Sequence, residues 1–285
     1  MVRVHVLLPV HNRRSITEDF IKCLSAQTYR HVHLVLIDDG STDGTADMVL
    51  RHLPRATVLK GKGNWWWGGS LQRGMRVLRA GVAARGGVVL IMNDDTRFEP
   101  DFIEKGVAAL LARTRSILLA QLYDGKNGKF LESGVHCDWR RLTFRPVGNS
   151  ERPNCFSTRG LFMRYEDMRE IGGFHPILLP HYGSDYEYTL RARRKGFTLA
   201  TSREVKLWGY EDAQTTGVRD VALPLPKFLR VIFTKRAVHN PLYWTTFVLL
   251  CSPWRYVPRN LYRVWIGFLR QARFALGLYR RAPVT

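Results

Sequence analysis

Short apolar runs at Val4–Pro9, Val32–Ile37, Ala56–Leu59 and Val88–Met92 alternate, over the first 120 residues, with stretches in which apolar residues recur every three or four positions. Runs that are apolar at consecutive positions predict strands buried on both faces, and the longer spacing predicts helices with one apolar face. The first helix carries Ile16, Phe20 and Leu24 and opens on the capping signal Ser15-Ile-Thr-Glu18. A second, capped by Thr42 or Asp43, runs to Leu53. A third carries Leu71, Met75, Leu78 and Val82, and a fourth is begun by Pro100. Strands alternating with helices of this length predict an α/β fold with a mostly parallel, doubly wound sheet.

The pattern changes after Ile117–Leu122. Asp124-Gly125 and Asn127-Gly128 predict a turn between two strands of a hairpin. Strands are expected at Phe130–His136 and Cys155–Met163, then a short helix leading to Ile171-Gly-Gly-Phe174. A helix from Ser184 ends at Gly196 with Arg193, Arg194 and Lys195 in its last turn, where cations complement the helix dipole. Near the C-terminus, Leu261, Trp265, Phe268, Ala272, Ala275 and Tyr279 share a helical stripe flanked by Arg259, Arg263, Arg270 and Arg273. That is the pattern of a helix lying in a membrane interface, or of one packed on its own domain. Leu242–Cys251, the most apolar piece, is far short of the roughly 20 residues a spanning helix needs. The expected division is residues 1–122, 123–225 and a basic amphipathic extension, 226–285.

Charge gives that extension a partner. The 285-residue chain carries a net charge of +20, and from Pro226 to Thr285 it has 11 Lys and Arg with no Asp or Glu. An anionic membrane surface is the expected partner, which places the protein in the cytoplasm, peripheral on the inner face of the cell membrane. The N-terminus enters a strand directly, and the scattered cysteines 23, 137, 155 and 251 have no metal-ligand spacing. Nucleic acid is not the expected partner, because the cations concentrate beside an apolar stripe and the acidic positions described next would repel phosphate. The chain has no P-loop and no Gly-x-Gly-x-x-Gly after a strand.

Two apolar runs end in carboxylates. Val35-Leu-Ile37 runs into Asp38-Asp39, and Val88–Met92 into Asn93-Asp94-Asp95. In a doubly wound sheet the ligand crevice lies outside the carboxyl ends of the strands, so both pairs would face one rim. Carboxylates there can share a divalent cation that in turn binds a diphosphate. Read locally, each pair is also a turn, because Asn and Asp side chains bond their own backbone. Trp65-Trp66-Trp67 offers aromatic faces for a sugar or base, although three consecutive Trp cannot all face one way.

Taken in order, several motifs resemble the inverting glycosyltransferases of family 2, bacterial cell-surface polysaccharide enzymes among them, which have the Rossmann-like GT-A fold. Leu8-Pro-Val-His-Asn12 is similar to the family's opening strand and loop, and Val35–Asp43 to its nucleotide-binding strand end. Gly63-Asn64 with Gly68-Gly69 resembles the loop that follows, and Asn93-Asp-Asp95 stands at the Asp-x-Asp position. Gly160–Phe174 resembles the acceptor-side segment, and Ser184–Arg191 the Glu-Asp box. The resemblance spans residues 4 to 210.

It implies transfer of a sugar from a UDP- or dTDP-type donor to a hydroxyl of a lipid-linked or polysaccharide acceptor. Asp185 would be the general base. Pro9, Val10, His11, Asn12, Gly63, Asn64, Trp67 and Gly68 would bind the nucleotide sugar; Asp39, with Asp38, would accept from a pyrimidine base. Asn93 and Asp94 would contact ribose or phosphate, and Asp95 would hold Mn²⁺ or Mg²⁺. Gly160, His181 and Glu187 would serve the acceptor, where His181 also reads as structural and Glu187 as a solvated helix face. Two departures stand out. No His occurs in Lys206–Asp212, where many members complete the metal shell, and Arg73 replaces a frequent Asn and would meet a phosphate. The alternatives are a nucleotidyltransferase, against which Pro9–Arg14 has no Gly, and a non-enzymatic basic binder of nucleic acid.

Overall fold

The structure, a computed structural model, describes residues 2–82, 86–148, 151–209 and 224–276. The early apolar runs form β1 (Val4–Val10), β2 (Val32–Asp38), β3 (Thr57–Lys60) and β4 (Val88–Ile91), paired parallel in the order β3-β2-β1-β4. β1 and β4 are buried at every position. Alternate residues of β1 fill opposite layers, Val6 and Leu8 one, Leu7 the other, because successive strand side chains point to opposite faces. The helices between them are α1 (Arg14–Ser25), α2 (Thr45–His52) and α3 (Trp66–Val77), the last prolonged by helical turns to Val82.

α1 begins one residue before Ser15, and no side chain of its own caps it. Asp43 does that from the loop before α2. Its Oδ2 accepts from the Arg14 N–H (2.9 Å) and its Oδ1 from the Thr45 N–H (3.1 Å). One carboxylate thus serves two helix starts, where unpaired N–H groups and the dipole both favour negative charge.

The later elements are β5 (Thr96–Arg97), α4 (Phe102–Leu111), β6 (Ser116–Asp124), β7 (Phe130–Glu132), β8 (Val135–Asp138), β9 (Thr143–Pro146), β10 (Leu161–Arg164), α5 (Tyr165–Ile171), α6 (Ser184–Arg194) and β11 (Thr198–Gly209). Among the described residues the main sheet has nine strands, ordered β3-β2-β1-β4-β10-β6-β11-β5 with β7 on β6. Parallel pairing dominates the first half. β10 then enters antiparallel to both β4 and β6, while β11 is parallel to β6. The expected hairpin is β6 with β7. The strand expected at Phe130–His136 breaks at Gly134 (φ +124°), a conformation suited to glycine, so β7 and β8 join different sheets. Cys155 makes a single bridge to Val135, and the strand expected from it begins only at Leu161.

The C-terminal segment forms α7 (Leu225–Ile232), α8 (Pro241–Cys251) and α9 (Val257–Ala275). α8 packs on α6: Phe247, 1% exposed, joins Leu179, Leu190, Cys137, Cys155 and Cys251 in one cluster, with Trp139, Phe144 and Trp244 around it. Asn260 of α9 donates to the Trp139 carbonyl (3.1 Å). The stripe read from the sequence turns inward except at Trp265, which is 40% exposed: Phe268 stacks on Phe228 of α7, and Leu261, Ala272 and Ala275 are half-buried. Tyr279 lies outside the described residues. A second apolar face, Pro258, Tyr262, Trp265, Leu269 and Leu276, points outward. No described helix is long and apolar enough to cross a membrane.

Candidate active site

The end of β2 is organised by Asp39. Its Oδ1 accepts from the N–H groups of Gly63 (2.9 Å) and Asn64 (3.1 Å), and its Oδ2 from those of Trp65 (2.7 Å) and Trp66 (3.1 Å). Two carboxylate oxygens offer about four lone-pair sites, so all are engaged and a base N–H would have to share one. Its neighbour Asp38 accepts from the Ser41 N–H (2.8 Å) and shapes the turn. The Asn12 side chain accepts from the Thr42 N–H (2.8 Å), and the His11 ring donates from Nδ1 to the Asp39 carbonyl (2.7 Å). The loops after β1 and β2 are therefore tied to each other and to the loop before α3.

At the end of β4, Arg13 reaches across to the second acidic pair, 3.1 Å from Asp94 and 3.4 Å from Asp95. Thr17 donates to Asp94 Oδ2 (2.9 Å). Burial pushes the Asp94 carboxyl up to about 6, against the opposing pull of Arg13. Buried Asp95 Oδ1 and Asn93 Oδ1 have no partner. No group of three or more His, Cys, Asp and Glu able to hold a metal occurs among the described residues. Hard oxygen donors with unfilled acceptor capacity nevertheless fit Mg²⁺ or Mn²⁺, which usually bind through one or two carboxylates and complete their shell with substrate phosphates and water. Tyr210–Asp212, part of the stretch in which a metal-shell His is missing, lies outside the described residues.

Two cavities meet at Asn93. The larger, about 610 Å³, is lined by Pro9, Val10, His11, Asn12, Asp39, Gly63, Trp67, Asn93, Asp94 and His181. The other, about 420 Å³, is lined by Asn93, Asp185, Glu132 and Arg159. Asp185 sits in the first turn of α6, after Gly183 in the left-handed region (φ +79°). Burial raises its pKa, while hydrogen bonds from Thr158, Ser184 and Trp67 oppose the rise. Trp67 Nε1 also donates to the Thr158 hydroxyl (3.1 Å), so a wall of the larger cavity steadies the carboxylate of the smaller.

Several expected site residues do other work. Glu187 is 2% exposed and forks onto Arg191 (2.7 and 2.9 Å), whose guanidinium also donates to the carbonyls of Ile171 and Gly173. It is neither solvated nor in the lining of the cavity that holds Asp185, because a buried carboxylate is retained here by its paired Arg. Gly160 (φ +78°) is a packing seam: a Cβ there would lie 2.4 Å from Leu207 Cδ1. His181 lines the larger cavity rather than the Asp185 side, and burial lowers its pKa to about 4, so the ring is neutral. Arg73 covers the Trp65 ring at 4.3 Å and lines neither cavity. Asn64 donates its backbone N–H to Asp39 and offers its carbonyl to Lys235. Gly68 lets α3 approach the segment ahead of α6: its N–H donates to the Pro180 carbonyl (2.9 Å), and a Cβ would lie 2.7 Å from the Leu179 carbonyl oxygen.

The sequence pointed to none of Arg13, Thr17, Thr158, Glu132, Arg159 and Arg236 as site residues, and of the Trp triplet it singled out Trp67 but not Trp66. Arg13 followed a flagged loop, and the Glu187–Arg191 spacing was itself the signal of a helical ion pair. Trp66, at φ +57°, lines the larger cavity together with Arg236, and no local pattern marks that encounter.

Known proteins share the fold, and a family model matches the sequence. Two Staphylococcal structures superpose well: S. aureus TarS, over 99% of this chain and 56% of that one (TM-score 0.60, 15% identity), and its residues 1–349 with UDP-GlcNAc, over 95% and 73% (TM-score 0.58, 14% identity). Mannosyltransferase PcManGT from Pyrobaculum calidifontis, in complex with GDP-Man and Mn²⁺, matches over 96% of this chain and 86% of that one (TM-score 0.54, 18% identity). These likenesses establish the GT-A-like α/β fold. The putative teichuronic acid biosynthesis glycosyltransferase TuaG of Bacillus subtilis is 27% identical over 114 residues, 39% of this chain, and y4gI of Sinorhizobium fredii is 26% identical over 196 residues, 66% of it. The matches span 43% and 20% of those two relatives. The model of glycosyl transferase family 2 covers residues 5–172, and the chain belongs to that family.

Proposed function

We propose that the protein transfers a sugar, with inversion, from a UDP- or dTDP-type donor to a hydroxyl of a lipid-linked or polysaccharide acceptor in cell-surface glycan synthesis. The observation that carries this reading is the meeting of two cavities at Asn93, one walled by the loops after β1 and β2, the other holding Asp185. The likeness to TuaG, a putative teichuronic acid biosynthesis glycosyltransferase, supports a cell-surface glycan, and the likeness to TarS bound to UDP-GlcNAc and PcManGT bound to GDP-Man supports a nucleotide-sugar donor.

In this mechanism the donor occupies the larger cavity and presents its anomeric carbon toward Asn93. The acceptor hydroxyl lies in the smaller cavity, and the Asp185 carboxylate takes its proton as the oxygen attacks from the face opposite the diphosphate. A new C–O bond forms as the bond to the diphosphate breaks, so one displacement inverts the centre. A raised pKa makes Asp185 a stronger base than an exposed aspartate, provided the pH exceeds it. Glu132 and Arg159 offer an acceptor and donor pair for sugar hydroxyls in that cavity. Asp95, with Asp94, would hold Mg²⁺ or Mn²⁺, which supplies charge neutralisation to the leaving diphosphate.

The outward face of α9 supports a peripheral position on the inner face of the cell membrane. Tyr262 is 68% exposed and Leu269 49%, and Arg259, Arg263 and Arg270 line a groove beside them. Aromatic and aliphatic groups flanked by Arg match an anionic bilayer interface.

The donor reading is tested by thermal unfolding with UDP, dTDP and GDP, followed by a screen for diphosphate release from the corresponding nucleotide sugars. UDP or dTDP should raise the midpoint, and more with Mn²⁺ or Mg²⁺ than with EDTA. Equal shifts in EDTA contradict the cation, and no shift with any nucleotide contradicts the donor site. The membrane reading is tested by sedimentation with phosphatidylglycerol vesicles. Each Arg near an anionic surface is worth about 1 kcal/mol, so replacing Arg259, Arg263 and Arg270 by Gln should weaken binding on the order of 100-fold. Unchanged binding contradicts it. Point substitutions are preferable to truncation before Pro226, which would also remove Phe247 from the core.

A further inference from the structure

We infer that Arg236, brought by the loop between α7 and α8, is the cation that receives the diphosphate of the donor. The inference rests on the larger cavity being the nucleotide-sugar site.

Arg236 lines that cavity from a segment 170 positions beyond Trp66, with its guanidinium 5.5 Å from the Trp66 ring centroid. The side chain is exposed, but the backbone that carries it is firmly built. Buried Asn240 accepts from the Leu242 N–H (3.0 Å) to cap α8, and donates from Nδ2 to the Thr234 carbonyl (3.2 Å). The Ala237 N–H donates to the same Thr234 carbonyl (3.2 Å), and Trp244 Nε1 to the Val238 carbonyl (2.7 Å). Lys235 reaches the Asn64 carbonyl (3.2 Å), fastening this loop to the one that Asp39 organises. A surface arginine on a loose loop would show none of these ties.

The charges of the cavity leave a place for it. A diphosphate entering here meets the carboxylates of Asp39 and Asp94. Arg13, the other guanidinium in the lining, already faces Asp94 and Asp95. The His181 ring, 5.5 Å from Trp66, is neutral. Among the described residues Arg236 has no ion pair or hydrogen bond to a carboxylate. Its guanidinium lies over the face of Trp66, which attracts a cation without using its N–H donors. Those donors match phosphate oxygens in a fork geometry. The consequence is that the donor site is completed by the same C-terminal segment that presents the outward face of α9.

The test compares UDP with uridine by titration calorimetry on the full chain, for the wild type, Arg236→Gln and Arg236→Lys, with GDP and guanosine as a second pair. Arg236→Gln should weaken UDP binding by about tenfold or more and leave uridine binding unchanged. Arg236→Lys should fall between, since an ammonium keeps the charge without the fork. The unliganded unfolding midpoints should match. UDP affinity unchanged in Arg236→Gln overturns the inference while the donor site stands. A parallel loss for UDP and uridine also overturns it, assigning Arg236 to the packing of Trp66. A wild type that binds neither diphosphate overturns the donor reading and this inference with it.

Discussion

The four backbone N–H groups gathered by the Asp39 carboxylate are the constraint on which the rest of the site depends. A non-glycine residue in the left-handed region costs about 1–2 kcal/mol, and Trp66 is held there (φ +57°) with its N–H on that carboxylate. From Trp66 the chain enters α3, and Gly68 immediately touches the backbone ahead of α6. Trp67 then reaches Thr158 beside Asp185. One buried carboxylate lining the larger cavity thereby sets where Asp185, in the smaller one, stands. Charge-assisted bonds to backbone are strong enough for that task, whereas a neutral turn residue would satisfy fewer of the same donors.

Charge compensation is the second theme. Acidic strand ends buried at one rim would repel each other if left alone, and a buried unpaired charge is costly. Here each is met differently. Asp39 is satisfied by backbone, Asp94 and Asp95 by Arg13 with Thr17, and Glu187 by Arg191. What remains unfilled is informative: Asn93 Oδ1, on the residue the two cavities share, and Asp95 Oδ1, two positions on, have no hydrogen-bond partner.

The elements most legible in the sequence were those whose burial is two-sided. β1, β2 and β4 are continuous apolar runs because helices cover both faces, and their acidic ends were readable for the same reason. α6 was readable from its cationic last turn and Gly196. The antiparallel entry of β10 was not, since its residues are as apolar as a parallel strand's and its partners, β4 and β6, lie in distant segments of the chain. The stripe of α9 was visible but its partner was not: periodicity gives a face, and only the fold showed that Phe228 covers it. The solvated helix face read for Glu187 is overturned by its burial against Arg191, a pairing that the spacing of four already signals. The loop whose backbone occupies Asp39 was not legible, because its N–H groups come from 24 to 27 positions away.

The central claim is that the Asn93 corner divides a donor cavity from an acceptor cavity and that Asp185 acts only in the second. The most direct measurement is to replace Asp185 by Asn and record, on one preparation, both nucleoside diphosphate affinity and sugar transfer. The account predicts that transfer falls to background while affinity stays within about twofold, a difference under 0.5 kcal/mol. Loss of nucleotide affinity together with transfer, or transfer that survives the substitution, would contradict it.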